Sequence, residues 1–291
     1  MEIKAIDVKK LREETNAGMM DCKKALLESD GDFEKAKLLL REKGQSKADK
    51  KSGRTTAQGL VRVETNDDHI SILEVNCETD FAAKDALFDD FVSKISKLIL
   101  SDSIDTIDQL NVQAIDEFGT VEDFRKFVVS KIGENITIRR FERIPLNGTA
   151  GSYIHGNKIA SLAIIENGDE QLAKDIAMHV AASQPEYIQF SDIPEDLLNQ
   201  EKKILTKQVE DEGKPAEIVP KIVEGKLNKQ LNSITLMGQE FIKDPDLTVA
   251  KLLDKNGASV VSFIRYEVGE GVEVEEVNFA DEVKAQVDAV N

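Results

Sequence analysis

Cysteine and histidine are scarce in this sequence, positive charge is in deficit, and long apolar runs are missing. The two cysteines, Cys22 and Cys77, are too few for a disulfide framework and show no C-x-x-C or Cys/His spacing. That argues against structural zinc and for a reducing compartment. His69, His155 and His179 stand far apart without an H-E-x-x-H pattern, and no G-x-x-x-x-G-K-[ST] or G-x-G-x-x-G run follows a strand pattern. The usual equipment for metal hydrolysis, phosphate cradling and dinucleotide binding is therefore absent, and no catalytic residue, metal or cofactor is assigned. No stretch approaches the ~18 apolar residues of a membrane span, and the opening Glu2, Lys4 and Asp7 lack the apolar centre of a signal peptide. The expectation is a cytoplasmic protein. With 38 Lys and Arg against 55 Asp and Glu the net charge is -17, which argues against a dedicated binder of nucleic acid or anionic membrane, because phosphate recognition rests on clustered positive charge.

What is present is enough chain, 291 residues, for two domains and a small third module. Residues 5–43 read as three short amphipathic helices, with Val8, Leu11 and Thr15 on one face, then Met19, Cys22 and Leu26, then Phe33, Ala36 and Leu40. Gly44 stands where a helix-ending glycine belongs. Residues 45–57 carry Lys47, Lys50, Lys51 and Arg54 with almost nothing apolar, and read as a basic linker. Without an interleaved aromatic residue to stack on a base, a solubilising tether is favoured over an RNA contact.

Two β-rich runs then flank the turn Asn66, Asp67 and Asp68, as a hairpin does. A helical series (Phe81, Leu87, Phe88, Phe91, Ile95, Leu98, Ile99), a second helix over 121–132 ending at Gly133, and a strand over 135–144 follow. The same order returns: two runs around Gly156 and Asn157, a helix over 170–182, a helix over 249–253 and a strand over 259–266. The core therefore reads as a duplicated α+β unit with antiparallel sheets, 58–146 forming one half and 147–190 with 237–268 the other. The second half carries an insertion, 191–236, whose apolar stripes (Leu197, Leu198, Ile204, Leu205, Val209; Ile218, Ile222, Val223, Leu227, Leu231) predict an antiparallel helical hairpin. Pro220 sets the start of its second helix near Val219 or kinks it. Residues 269–291, with Phe279, Val283 and Val287, read as a C-terminal helical module.

The run from Leu11 to Leu26, LREETNAGMMDCKKAL, together with Glu74 to Phe81, EVNCETDF, resembles the bacterial elongation factor Ts family. The stretches KIGENI (131–136), SYIHG (152–156), IAMHVAAS (176–183) and FIRYEVGEG (263–271) fall in the family's order, so the resemblance spans essentially the whole chain. It implies a guanine-nucleotide exchange factor that speeds GDP release from the GTPase elongation factor Tu. It also implies that residues 1–44 form a ubiquitin-associated-like three-helix domain. In the family a T-D-F motif enters the GTPase beside its magnesium site, which maps onto Thr79, Asp80, Phe81 and Ala82. The same transfer points Arg12, Met19, Met20 and Lys23 at the GTPase domain and His155 at the GTPase's third domain. The inserted hairpin dimerises some members, which offers a route to a homodimer here. Three departures stand out: Asn16 in place of a glycine, Ala82 where valine usually follows the motif, and Pro220 in the hairpin.

Exchange needs no bond chemistry, so a missing catalytic centre suits this reading. Without the resemblance, Thr79 or Asp80 reads as a helix cap and Phe81 as packed in the first turn. The competing reading is a ubiquitin-associated-like adaptor without exchange activity. An acid/base enzyme centred on residues 78–80 is a weaker one, lacking a nearby His or metal cluster.

Overall fold

The computed structural model describes residues 3–15, 17–101, 103–115, 118–213 and 215–273. Three helices come first: α1 (Ala5–Thr15), α2 (Met19–Glu28) and α3 (Phe33–Asp49). Their apolar stripes meet in a small core of Val8, Leu11, Cys22, Ala25, Leu26 and Ala36. The turn between α2 and α3 uses left-handed backbone at Asp30 (φ 52°) and Gly31 (φ 83°). Helix α3 does not stop at Gly44 but runs to Asp49, and Gly44 faces Ser130 of the following body. The basic segment after it is likewise held rather than loose. Nearly buried Asn135 donates from Nδ2 to the carbonyls of Ser52 (3.2 Å) and Arg54 (2.8 Å), and Lys51 reaches the carbonyl of Gly133. Composition suggested a tether because this segment is fixed by its backbone carbonyls rather than by apolar side chains.

Two three-stranded antiparallel sheets follow. β1 (Gln58–Thr65), β2 (His69–Cys77) and β5 (Ile136–Pro145) pair in the order β1-β2-β5; β6 (Thr149–His155), β7 (Ile159–Glu166) and β10 (Ser259–Glu267) pair in the order β6-β7-β10. Each is a hairpin whose second strand takes a later strand on its far side. Local chemistry sets both turns. Asn66 Oδ1 accepts from the amides of Asp68 (2.9 Å) and His69 (2.8 Å), while Gly156 and Asn157 supply two successive positive φ angles.

The central strands β2 and β7 are buried on both faces, and the period-2 alternation divides their side chains between two cores. Val61, Ile70 and Ile72 face Ala160, Leu162, Ile164 and Tyr266, so the two sheets stack on each other. On the outer side of the first sheet, Leu73, Val75 and Cys77 pack beneath α5 (Ala86–Ser101) and α7 (Val121–Ile132). On the outer side of the second, Ala163 and Ile165 pack beneath α8 (Glu170–Ser183) and α11 (Val249–Asn256). The α8 backbone at Ala173 and Lys174 lies so close to Gly151 that no side chain fits there. Short elements not foreseen from periodicity fill the connections: α6 (Ile107–Asn111), the pair β3 (Ala114–Ile115) and β4 (Gly119–Thr120), and the pair β8 (Glu240–Phe241) and β9 (Asp244–Thr248).

One charged network crosses the sheet stack. Glu74, fully buried on β2, accepts from Arg139 Nη1 (2.9 Å), Arg140 Nε (2.6 Å) and the backbone N–H of Gly269 (2.8 Å). Neighbouring strand residues normally point to opposite faces, yet both arginines reach this carboxylate. The register shift opposite Glu74, where Glu74 pairs with Arg140 and Val75 with Ile138, makes Arg139 the extra residue of a bulge and re-aims it. Arg140 also meets Glu270 (3.1 Å) and lies over the Tyr266 ring, tying β5 to the end of β10.

The insertion folds as α9 (Glu195–Asp211) and α10 (Val219–Ile234). They run antiparallel, since Glu212 meets Lys226 (2.7 Å) whereas the earlier Glu201 meets the later Gln230 (2.7 Å). Leu205, Val209, Val219 and Val223 form the seam. Pro220 lies in the first turn of α10, where its missing N–H has no intrahelical partner to lose, so it starts the helix without a kink. The module expected at 269–291, with Phe279, Val283 and Val287, lies beyond Glu273 and so mostly outside the described residues, as does Asn16.

Candidate functional site

After β2 the chain turns through Glu78 and Thr79 into a single helical turn, α4 (Asp80–Ala83). Thr79 is its N-cap, extended at φ -125° and ψ 161°, with Oγ1 accepting from the Ala82 amide at 3.3 Å. Ala82 points inward and joins the core beneath α5. With Ala82 inside, Phe81 faces out: it is 81% exposed, more than any other large apolar side chain among the described residues. The sequence reading of one helical series through Phe81 and Leu87 does not hold. α4 ends at Ala83 and α5 begins at Ala86, so Phe81 is out of phase with the buried face of α5. The Asp85 carboxylate, accepting from the Leu87 amide at 2.8 Å, marks the restart.

Charges surround this turn. Asp80 pairs with Lys84 at 2.7 Å; that bond first, against an opposing effect of burial and with Lys84 and Lys158 adding through space, holds the carboxyl below its ordinary value. Glu134, from the turn after α7, reaches across to Thr79, its oxygens accepting from the Thr79 amide (2.9 Å) and hydroxyl (2.6 Å). Glu78 in turn accepts from the Asn135 amide at 2.6 Å. Beneath them the Cys77 thiol donates to the Thr79 carbonyl (3.1 Å). Burial, then the nearby Glu134 charge, pushes that thiol up to about 12, so it stays protonated at neutral pH.

The other residues singled out from sequence lie on two further surfaces. Arg12 on α1 and Met19, Met20 and Lys23 on α2 are exposed. Neither methionine enters the helical core, Met19 being 47% and Met20 62% exposed, because Cys22, Ala25 and Leu26 fill it. The helix trio is pinned to α7 by Arg41 with Asp123 (2.8 Å), Lys126 with Asp49 (3.1 Å) and Lys131 Nζ donating to the Thr15 carbonyl (2.9 Å), leaving a cleft of about 460 Å³ between them. The end of α7 thus ties the end of α1, through Lys131, and the turn that follows it ties the Phe81 turn, through Glu134.

His155 is exposed at the end of β6, with its ring beside Tyr153 (Nδ1 to the hydroxyl, 3.4 Å). Lys158, across the same turn, donates to Gln58 Oε1 (2.7 Å), and Gln58 pairs with Cys77. His155 and the Phe81 turn therefore share one end of the sheet stack. His179 is fully buried and packs, donating from Nε2 to Gln239 Oε1 (2.9 Å) and accepting the Ile242 amide at Nδ1 (3.3 Å). Sequence reasoning passed over Glu134; the KIGENI stretch was in view, but as a helix end rather than as a carboxylate aimed at Thr79. Among the described residues no group of three or more His, Cys, Asp or Glu is placed to hold a metal ion, and no helix is long and apolar enough to cross a membrane.

Known proteins match along the whole chain. The family model described as Elongation factor TS matches residues 78–270. The Elongation factor Ts of Hydrogenovibrio crunogenus is 48% identical over 292 residues, covering 100% of this chain and 99% of its own. That of Methylococcus capsulatus is 50% identical over 292 residues, covering 99% of this chain and all of its own. That of Legionella pneumophila strain Lens is 44% identical over 287 residues, covering 98% of each. With a family model across most of the chain and near-half identity to these relatives end to end, this chain belongs to the elongation factor Ts family.

Proposed function

We propose that Phe81, carried on the anchored turn 79–82, is the wedge with which this chain disturbs the magnesium and nucleotide site of elongation factor Tu. As a member of its family the chain is a nucleotide exchange factor for elongation factor Tu in translation elongation, a cytoplasmic task, and not an enzyme. The observation that carries the wedge reading is the 81% exposure of a phenylalanine on a short turn fastened to the body before it at Thr79 and after it at Ala82. A solvated aromatic ring on an anchored backbone loses only side-chain freedom when a partner covers it, because the backbone is already ordered. Asp80 beside it adds a carboxylate that repels nucleotide phosphates or competes for groups around the metal.

Phe81 does not act alone. Exchange requires tighter binding to the nucleotide-poor GTPase than to the GDP form, and the coupling is reciprocal. Shifting a two-state balance by ~10⁴ takes ~5.5 kcal/mol, whereas burying one Phe side chain contributes about 1.5–3 kcal/mol. Arg12, Met19, Met20 and Lys23 on the helix trio and His155 at the strand end supply the remaining grip in this reading. The proposed organisation follows: a ubiquitin-associated-like domain at 1–44, a basic connector at 45–57, a duplicated core at 58–146 and at 147–190 with 237–268, a hairpin at 191–236 able to join two copies, and a C-terminal module from 269. Support for the duplication is the identical strand order of the two sheets.

The test follows release of a fluorescent GDP from elongation factor Tu with and without this protein. Phe81→Ala is expected to lower the limiting rate at least tenfold, while alanine at Met20 or His155 raises the half-saturating concentration instead. An unchanged rate with Phe81→Ala removes the wedge; no acceleration by the wild type leaves an adaptor without exchange activity.

A further inference from the structure

The wedge reading leaves the Glu134 carboxylate without a task, although it is the group that grips the motif turn from across the fold. Glu134 follows Gly133, the left-handed cap of α7 (φ 88°). From there its two oxygens take both donors of Thr79, the amide at 2.9 Å and the hydroxyl at 2.6 Å. The same hydroxyl oxygen accepts the Ala82 amide at 3.3 Å, so one line of hydrogen bonds runs from Glu134 through Thr79 into the first turn of α4. The grip is reciprocal. Glu78, just before Thr79, accepts the Asn135 amide at 2.6 Å, and the Asn135 side chain is in turn bonded to the carbonyls of Ser52 and Arg54.

A four-residue helix does not persist by itself, since its nucleation cost is never repaid by later turns. Phe81, out in solvent, gains nothing from holding its place. Ala82 buries one methyl group and Ala83 part of another. The posture of α4 is therefore imposed from below, and the hydrogen bonds to an ionised carboxylate are the stronger ones available to impose it.

We propose that Glu134 is a positioning residue for nucleotide exchange, acting through Thr79 to hold α4 so that Phe81 projects in one direction. The inference rests on the wedge reading above. A wedge that wanders is competent for only part of the time, and the rate falls by that fraction. The extended remainder of the interface sets the half-saturating concentration and is untouched.

The experiment uses the full chain and measures the limiting rate and half-saturating concentration for GDP release from elongation factor Tu. Glu134→Gln replaces one acceptor oxygen by a donor facing Thr79, and is expected to lower the limiting rate about fivefold to tenfold, with the half-saturating concentration within about twofold of wild type. Thr79→Val, which removes the hydroxyl, is expected to do the same, and Thr79→Ser to recover most of that loss; this pair carries the test if Glu134→Gln folds poorly. In a Phe81→Ala background, Glu134→Gln should cost less than about twofold more, because the wedge it positions is gone. An equal loss in both backgrounds, or a wild-type rate for both Glu134→Gln and Thr79→Val while Phe81→Ala is slow, overturns the positioning role and leaves the wedge. A wild-type rate for Phe81→Ala overturns the wedge and the positioning role together.

Discussion

Replacing Glu74 by glutamine tests whether the sheet stack depends on its one fully buried carboxylate. Glutamine keeps the shape of the side chain but loses its charge, and it turns one of the two acceptor oxygens into a donor, so the oxygen shared by Arg139 and the Gly269 amide, or the one that takes Arg140, is lost. Removing one partner of a buried ion pair typically costs about 3–5 kcal/mol, mostly through the charge left uncompensated. Here the stranded charges are arginines whose side chains keep 25% and 32% of their exposure, so water solvates them in part and the lower end applies, about 3 kcal/mol. At about 2–4 °C per kcal/mol for a chain of this size, the thermal midpoint should fall by roughly 6–12 °C. Circular dichroism melting of the full chain at neutral pH reads this directly. Lys9→Ala, which breaks the exposed pair with Glu13, serves as the control and should move the midpoint by no more than about 2 °C. A Glu74→Gln midpoint as close to wild type as that of the control would show that apolar stacking of the sheets suffices and that the bulge at Arg139 has no energetic role.

Two further outcomes are expected. His179 is held neutral, its value pushed below the ordinary 6.5 by burial against a smaller opposing effect of Gln239. The unfolded chain takes up that proton first, so stability should fall as pH drops below about 6.5 until the lowered folded value is reached. His179→Asn should lose less stability than wild type between pH 7.5 and 5.5 in urea titrations, and equal losses would contradict the assignment. The proposed self-association through the inserted hairpin predicts that Ile204→Glu or Ile218→Glu, at side chains now 42% and 45% exposed, shifts the full chain toward monomer in sedimentation equilibrium. A wild type that sediments as a monomer at every concentration would remove that proposal.

The elements that short-range chemistry controls were legible in advance. Both hairpins follow from turn residues a few positions apart, and α7 ends at Gly133 because a left-handed cap needs glycine there. The α9–α10 pair, with Pro220 at its second start, follows from apolar periodicity and from the amide that proline lacks. The motif residues 79–82 were legible by resemblance alone, since a phenylalanine at helical spacing from Leu87 otherwise reads as core. Its exposure was written locally only in Asp85, whose cap restarts the helix and throws Phe81 off the buried face. Extension of α3 through Gly44 ran against the same local logic, because glycine ends a helix only when nothing beyond it continues to pack.

Sequence by itself thus determined the mixed α+β class of fold, the order of its main helices and strands and the family, since these depend on periodicity, on turn residues and on motifs contiguous in the chain. Tertiary structure alone decided which carboxylate holds the Phe81 turn and which one joins the sheets. Glu134 meets Thr79 across 55 positions of sequence, and Glu74 meets Arg139 across 65. A bulge that turns two adjacent arginines to one face reverses the very alternation by which a strand is read. Pairings of that kind are set by how the packed layers bring chain ends together, and no local period encodes them.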